Sequence, residues 1–184
     1  MSDEKRVVSC ETVLETSEIY SGKVIHVRLN TVQLSDGMIT KREIVEHRGA
    51  VCIVPITEDR RIVMVRQFRL AAGKNLLEIP AGTLEQGENP DVCAARELEE
   101  ETGLKAAKLT ALFSAYLAPG YSTELIHSYL ATGLATAENK LSQDADERVF
   151  TESVSIDEFL DKVKSGDIQD CKSIASVLTA LTYL

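Results

Sequence analysis

The chain runs to 184 residues, 44% of them hydrophobic, with 29 acidic against 20 basic side chains and a formal net charge of -9. That size and apolar share suit one globular domain with a proper core plus a small appendage, and the acidic balance argues against broad nucleic-acid or membrane binding. No apolar run reaches the length of a transmembrane helix, and the stretch Met1 to Arg6 lacks an apolar signal region.

In chain order, residues 7 to 34 carry extended, β-branched stretches punctuated by Ser21-Gly22, and Ser35-Asp36-Gly37 follows as a second turn signal. Strands are expected over Lys41 to Glu46, Ala50 to Ile56 and Arg61 to Phe68, the last two joined by a hairpin turn at Thr57 to Arg60. A short strand over Leu76 to Ile79 runs into the bend Pro80-Ala81-Gly82. Asn89-Pro90 then opens a helix, Asn suiting the N-cap and Pro the first turn, and Gly103 closes it in the left-handed region. Further strands are expected over Leu109 to Tyr116, Glu124 to Ala131 and Phe150 to Val154, with Pro119-Gly120 in the loop between the first two. Ser155 and Glu158 form a capping-box signature for a second helix to about Lys164, and residues 169 to 183 predict a third. Strands enclosed by helices give an α+β fold, or a three-layer α/β/α arrangement. Cys10, Cys52, Cys93 and Cys171 are scattered without a C-x-x-C pair, which points to a reducing, cytoplasmic setting with neither disulfide framework nor zinc site. Cys52 and Cys93 read as small buried residues. His26, His47 and His127 have no metal-ligand spacing and read as structural.

The stretch Gly82 to Leu104 carries the chemistry. Four glutamates, Glu97, Glu99, Glu100 and Glu101, fall within five positions at the end of the helix. Like charges three and four residues apart repel, and carboxylates at a helix C-terminus oppose its dipole. A cation offsets both penalties. Glu97, Glu100 and Glu101 lie at i, i+3 and i+4 and fan across one face. Ala94, Ala95, Leu98 and Thr102 form a neighbouring face small enough to press on a sheet, while Glu99 is expected to meet only water. Arg96, one turn before Glu100, is placed to hold that carboxylate by a charge-assisted pair. Oxygen ligands without sulfur or imidazole suit a hard cation, Mg2+ or Mn2+. A solvated acidic face is the usual fate of a charge run, but the glycines, Arg96 and Glu88 all stand at fixed offsets from one another.

That spacing, G-x5-E-x7-R-E-L-x-E-E-x-G-L, resembles the Nudix box at every fixed position. The resemblance implies a mixed sheet between helices and metal-dependent hydrolysis of nucleoside diphosphates linked to another group. Pro119, sixteen residues beyond Gly103, the run Val65 to Arg69, the segment Glu78 to Gly82 and the stretch Lys41 to Val51 resemble the ADP-ribose pyrophosphatase branch. Ala118 and Ala71-Ala72 depart from that pattern where serine and a proline-containing loop are common. By resemblance the reaction is hydrolysis of ADP-ribose to AMP and ribose 5-phosphate. Glu97, Glu101 and the Ala81 carbonyl are then metal ligands, Glu100 is a ligand or its hydrogen-bonding neighbour, and Arg96 orients Glu100. Glu88 organises the loop and helix, and Glu85 approaches the metals or their waters.

By the same resemblance the general base is expected from the acidic loop Gln143 to Glu147, with Glu147 the best match and Asp146 the alternative. Arg42 and Arg69 are candidates for phosphate or terminal-ribose contacts, Glu124 and Pro119 for further substrate contacts, and Tyr20 for the adenine. Relatives in this branch often dimerise through an N-terminal β-rich extension, here residues 1–48, ahead of a hydrolase domain at 49–184; a homodimer is therefore expected. The alternatives are a Nudix hydrolase for another nucleotide sugar, a dinucleotide or an oxidised nucleotide, or a module that senses a nucleotide without turnover and regulates a partner.

Overall fold

The structure is a computed structural model and describes residues 10–137 and 149–184. Its N-terminal strands β1 (Thr12–Ser21), β2 (His26–Gln33) and β3 (Ile39–Glu46) form an antiparallel sheet in that order. Asp36 accepts the Met38 N–H at 2.9 Å, and Gly37 (φ 86°) takes the left-handed conformation that the turn between β2 and β3 requires. Every residue of β1 is exposed, Ile19 and Tyr20 among them.

The chain divides into two compact units, and the loop Ala118–Glu124 groups with the part up to His47. The loop extends the edge of β3: the Val45 N–H donates to the Tyr121 carbonyl at 2.7 Å, and the Thr123 N–H donates to the Val45 carbonyl at 3.0 Å. The Thr123 hydroxyl accepts the His47 N–H at 2.9 Å. A cavity of about 350 Å³ lies in this unit, walled by Ile19, Val27, Leu29, Val45 and Tyr121.

The second unit, Arg48–Leu117 with Leu125–Leu184, holds β4 (Ala50–Pro55), β5 (Arg61–Arg69), β6 (Lys74–Glu78), β7 (Ala81–Thr83), helix α1 (Pro90–Thr102), β8 (Leu104–Tyr116), β9 (Leu125–Thr136), β10 (Phe150–Ser155), α2 (Ile156–Ser165) and α3 (Cys171–Ala180). Its strands form two sheets, β7-β4-β9-β8 and β10-β5-β6. The first is mixed, because β4 and β9 run parallel while the other pairs are antiparallel. Strand β4 is buried along its whole length, as its unbroken apolar run demands. Its two faces feed two cores. Ala50, Cys52 and Val54 join Ile126, Leu130, Val177 and Ala180 on the side of α3. Val51 and Ile53 join Cys93, Ala94, Leu98 and Tyr129 on the side of α1. A sheet between helices is the expected α+β arrangement.

The turn at Thr57 to Arg60 closes as expected, with the Thr57 N–H on the Arg61 carbonyl at 2.9 Å. The strands it joins share only the Ile56–Ile62 bridge and then part into different sheets. A hairpin was expected; the strands part because β4 is buried on both faces and β5 is buried over residues 62–65, so each needs its own neighbours. The capping residues read from sequence are in place. Asn89 accepts the Asp91 N–H at 2.8 Å, Ser155 the Glu158 N–H at 3.1 Å, and Gly103 (φ 71°) ends α1.

Candidate active site

Helix α1 presses a small-residue face on the mixed sheet: Cys93 and Ala94 are fully buried and Leu98 nearly so. Burying Leu98 contributes about 2 kcal/mol. Ala95, assigned to that face from sequence, is exposed. The first turn is pinned by the Tyr129 hydroxyl, which donates to Asp91 at 2.7 Å. Burial, then the neighbouring Asp91 carboxylate, push the Tyr129 phenol well above its usual range and keep it a donor. The other face carries the acidic residues.

Arg96 gathers them. Its Nε and Nη2 fork onto both Glu88 oxygens at 3.1 and 3.0 Å. Its Nη1 reaches Glu97 at 2.7 Å and Glu100 at 2.9 Å. Hydrogen bonds from Arg96 hold the Glu88 carboxyl down at about 2, so it is ionised at neutral pH. Glu88 also accepts the Glu85 N–H at 2.9 Å, tying the loop before α1 to its middle. The sequence suggested the Arg96–Glu100 pair; the fork to Glu88 is the larger part of the arrangement. Cys93 lies against the same guanidinium, with Sγ at 3.2 Å from Nη2. Burial and the Glu88 carboxylate push this thiol up to about 12, so it stays protonated and inert.

Strand β7 supplies the opposite wall. The Ala81 N–H donates to Glu101 at 3.0 Å. Across from Glu97 stands Gly82, where a Cβ would lie 1.9 Å from the Glu97 carboxyl carbon and 2.0 Å from Oε1. The glycine is therefore the space in which the Glu97 carboxylate sits. Glu97 and Glu101 are buried despite their charge, a placement that requires positive partners. Among the described residues no three acidic, histidine or cysteine side chains already converge as a closed metal centre would. The donors are nevertheless of one chemical kind: carboxylate oxygens of Glu97, Glu100 and Glu101 beside the main chain of Ala81 and Gly82. With the Glu97 carboxylate accommodated at Gly82, this set is of the chemistry that a hard divalent cation takes.

The remaining candidates fall as follows. Arg69 is committed by two hydrogen bonds, at 2.8 and 2.9 Å, to Glu78, a carboxylate 2% exposed. Lys172 shares the Glu78 Oε2 with Arg69 and bonds to Asp170 at 2.8 Å. Burial alone would push the Glu78 carboxyl up, but Arg69 and Lys172 outweigh it and hold it down at about 2. Arg42 lies half-buried on β3 and forks onto Glu11, its Nη2 at 2.7 Å. Glu124 lies 3.9 Å from the His47 ring in the unit that also holds Pro119. Tyr20 is exposed, its ring beside Gly22. Glu147, Asp146 and Asp144 lie outside the described residues.

Another sequence expectation fails. Glu99 does not face water: it is 9% exposed and pairs with Lys105 at 3.4 Å, because β8 folds back beside the end of α1. The cluster of the buried Glu78 with the half-buried Lys172 and Asp170 was missed. Its one sequence signal is a glutamate inside the otherwise apolar run Leu76 to Pro80.

The NUDIX domain pattern matches residues 46–172, more than half of the chain. The chain is 43% identical over 167 residues to a methanol dehydrogenase activator of Bacillus methanolicus, covering 91% of this chain and 90% of the relative. It is 41% identical over 167 residues, with the same coverage, to an ADP-ribose pyrophosphatase of Bacillus subtilis strain 168. The crystal structure of an ADP compounds hydrolase, 23% identical, superposes with a TM-score of 0.84 over 95% of this chain and 94% of its own, a likeness of fold. The fold and the glutamate helix define a Nudix-type hydrolase. This chain belongs to the NUDIX family.

Proposed function

We propose that the protein hydrolyses the pyrophosphate bond of ADP-ribose, giving AMP and ribose 5-phosphate, with Mg2+ or Mn2+ as cofactor. The observation that carries this reading is the acidic face of α1 set against Ala81 and Gly82, in a chain that shares 41% identity along nearly its whole length with an ADP-ribose pyrophosphatase. Glu97, Glu101, Glu100 and the Ala81 carbonyl would hold the metal. When bound, it would offset phosphate charge and make a water more acidic. Arg96 keeps Glu97 and Glu100 in one orientation, and Glu88 keeps Arg96 there. Arg69, its guanidinium fixed by Glu78, presents its remaining N–H groups to a phosphate oxygen; Arg42, Glu124 and Pro119 are assigned to the rest of the substrate. Glu147, with Asp146 the alternative, takes the proton from the attacking water as the P–O bond to the leaving phosphate breaks.

Among the described residues no helix is long and apolar enough to cross a membrane. The reading places the enzyme in the cytoplasm as a homodimer built through residues 1–48, whose strand β1 has all its side chains exposed; residues 49–184 form the hydrolase domain. The test is incubation with ADP-ribose, nucleotide sugars and dinucleotides, with and without Mg2+, resolving products by chromatography. Mg2+-dependent AMP release, fastest from ADP-ribose, is expected. Faster turnover of another diphosphate reassigns the substrate.

A second reading follows from the 43% identity to a methanol dehydrogenase activator: the same site serves to regulate a partner dehydrogenase. Rate enhancement of a methanol dehydrogenase, without AMP release from ADP-ribose, supports that reading over the first.

A further inference from the structure

Between β6 and β7 the chain changes sheets. Glu78 is the last residue of a strand in β10-β5-β6, and Ala81 is the first of a strand in β7-β4-β9-β8. Of the two residues between them, Pro80 continues the β4 pairing through its carbonyl, whereas the Ile79 N–H needs an anchor outside the two ladders. The Pro80 carbonyl accepts the Ile53 N–H at 2.9 Å, and Pro80 has no N–H to place. Among the described residues the Ile79 N–H is anchored by the Ser173 hydroxyl on α3 at 2.8 Å.

Ser173 is itself fixed. It is fully buried, and its hydroxyl donates to Asp170, the N-cap of α3, whose carboxylate also accepts the Ser173 N–H at 3.0 Å. Asp170 holds Lys172 as well, and Lys172 holds Glu78. The first turn of α3 therefore grips the crossover twice, at Glu78 through charge and at Ile79 through a hydrogen bond. Two residues further on stands Ala81, whose N–H positions Glu101 and whose neighbour Gly82 makes room for Glu97.

We infer that Ser173, with Lys172, is a positioning residue for the metal site: α3, through the crossover, helps to set where the Ala81 main chain lies relative to Glu97 and Glu101. This rests on the metal-dependent reading above. Loosening the grip on Ile79 lets the crossover shift, and the main-chain group at Ala81 moves with it, while the helix carrying the glutamates is held separately by Tyr129 and Arg96.

The test measures Mn2+ binding by the loss of its free electron-paramagnetic signal, without substrate, together with kcat and KM for ADP-ribose and the melting temperature. The variants are Ser173→Ala and the near-isosteric Ser173→Cys, a much weaker acceptor, which covers the case in which alanine does not fold. Ser176→Ala, on the same buried face of α3 but bonded to Cys52 and Ser128, is the stability control. The expected result is Mn2+ affinity weakened about tenfold at position 173, as for other groups that support metal ligands. A fall in kcat larger than the change in KM should accompany it, with affinity unchanged in Ser176→Ala. Wild-type Mn2+ affinity in a folded Ser173 variant overturns the inference, and so does an equal loss in the control. Absence of Mn2+ binding by the wild-type protein overturns the metal reading itself.

Discussion

Gly82→Ala separates function from stability at a single methyl group. The added Cβ would stand 1.9 Å from the Glu97 carboxyl carbon, whereas ordinary contact begins near 3.4 Å, so the carboxylate must withdraw by about 1.5 Å. The colliding atoms are the far end of a flexible side chain, and the glycine is not in the left-handed region. The backbone therefore accepts alanine, and loss of glycine's freedom in the unfolded chain favours the folded state by about 0.4–1 kcal/mol. Against this, Glu97 loses its hydrogen bond with Arg96, a cost of about 1.5–3 kcal/mol at most for a charged pair. The net stability change is about 1–2 kcal/mol, a few degrees of melting temperature for a chain of this size. Activity responds on another scale, since misplacing a catalytic group by about 1 Å costs roughly 100-fold. AMP release from ADP-ribose should fall by about 100-fold or more, while the thermal midpoint drops by no more than a few degrees and the circular dichroism spectrum is unchanged. Turnover within a few-fold of wild type would refute the placement of Glu97 in the reaction. An unfolded variant would refute the claim that the contact is confined to a side-chain tip.

Three further outcomes are expected. Arg69→Ala leaves the buried Glu78 with Lys172 alone, so it should cost about 3 kcal/mol in denaturant unfolding and raise KM for ADP-ribose; an unchanged midpoint would show that the pair contributes little. Glu78 and Glu88 both have folded pKa values of about 2, below their ordinary 4.5. Their stabilisation is thus complete above about pH 5 and is lost as the pH falls toward 2. Glu78→Gln should flatten that acid limb, and a limb identical to wild type would contradict the assignment. Glu147→Gln should lower kcat by about 100-fold or more while Mn2+ affinity stays at the wild-type value; normal turnover would pass the role of base to Asp146.

How much of this was legible in the sequence depends on whether a residue's partner lies nearby along the chain. Helix α1 was readable from Asn89, Pro90 and Gly103, because capping is satisfied within a few residues. The Arg96–Glu100 pair was readable for the same reason, one helical turn apart. The fork from Arg96 back to Glu88 and the space at Gly82 are harder to foresee, since they depend on a loop and a strand folding onto the helix. Glu99 shows how a local rule fails: its helical angle points it away from the other glutamates, yet Lys105 and the returning β8 bury it. Glu78 lies at the far end of this scale. Its partner Lys172 is separated from it by most of the hydrolase domain, and no periodicity links them. The sheet change between β6 and β7 is equally non-local, because it is β4 and β5 parting company that sends β6 and β7 to different sheets. The chemistry of the box was therefore written in one continuous segment, whereas anchors of the crossover that leads to Ala81 come from α3, at the other end of the chain. For that reason Ser173 and Lys172 are the substitutions that test whether the site depends on the whole fold or on the box alone.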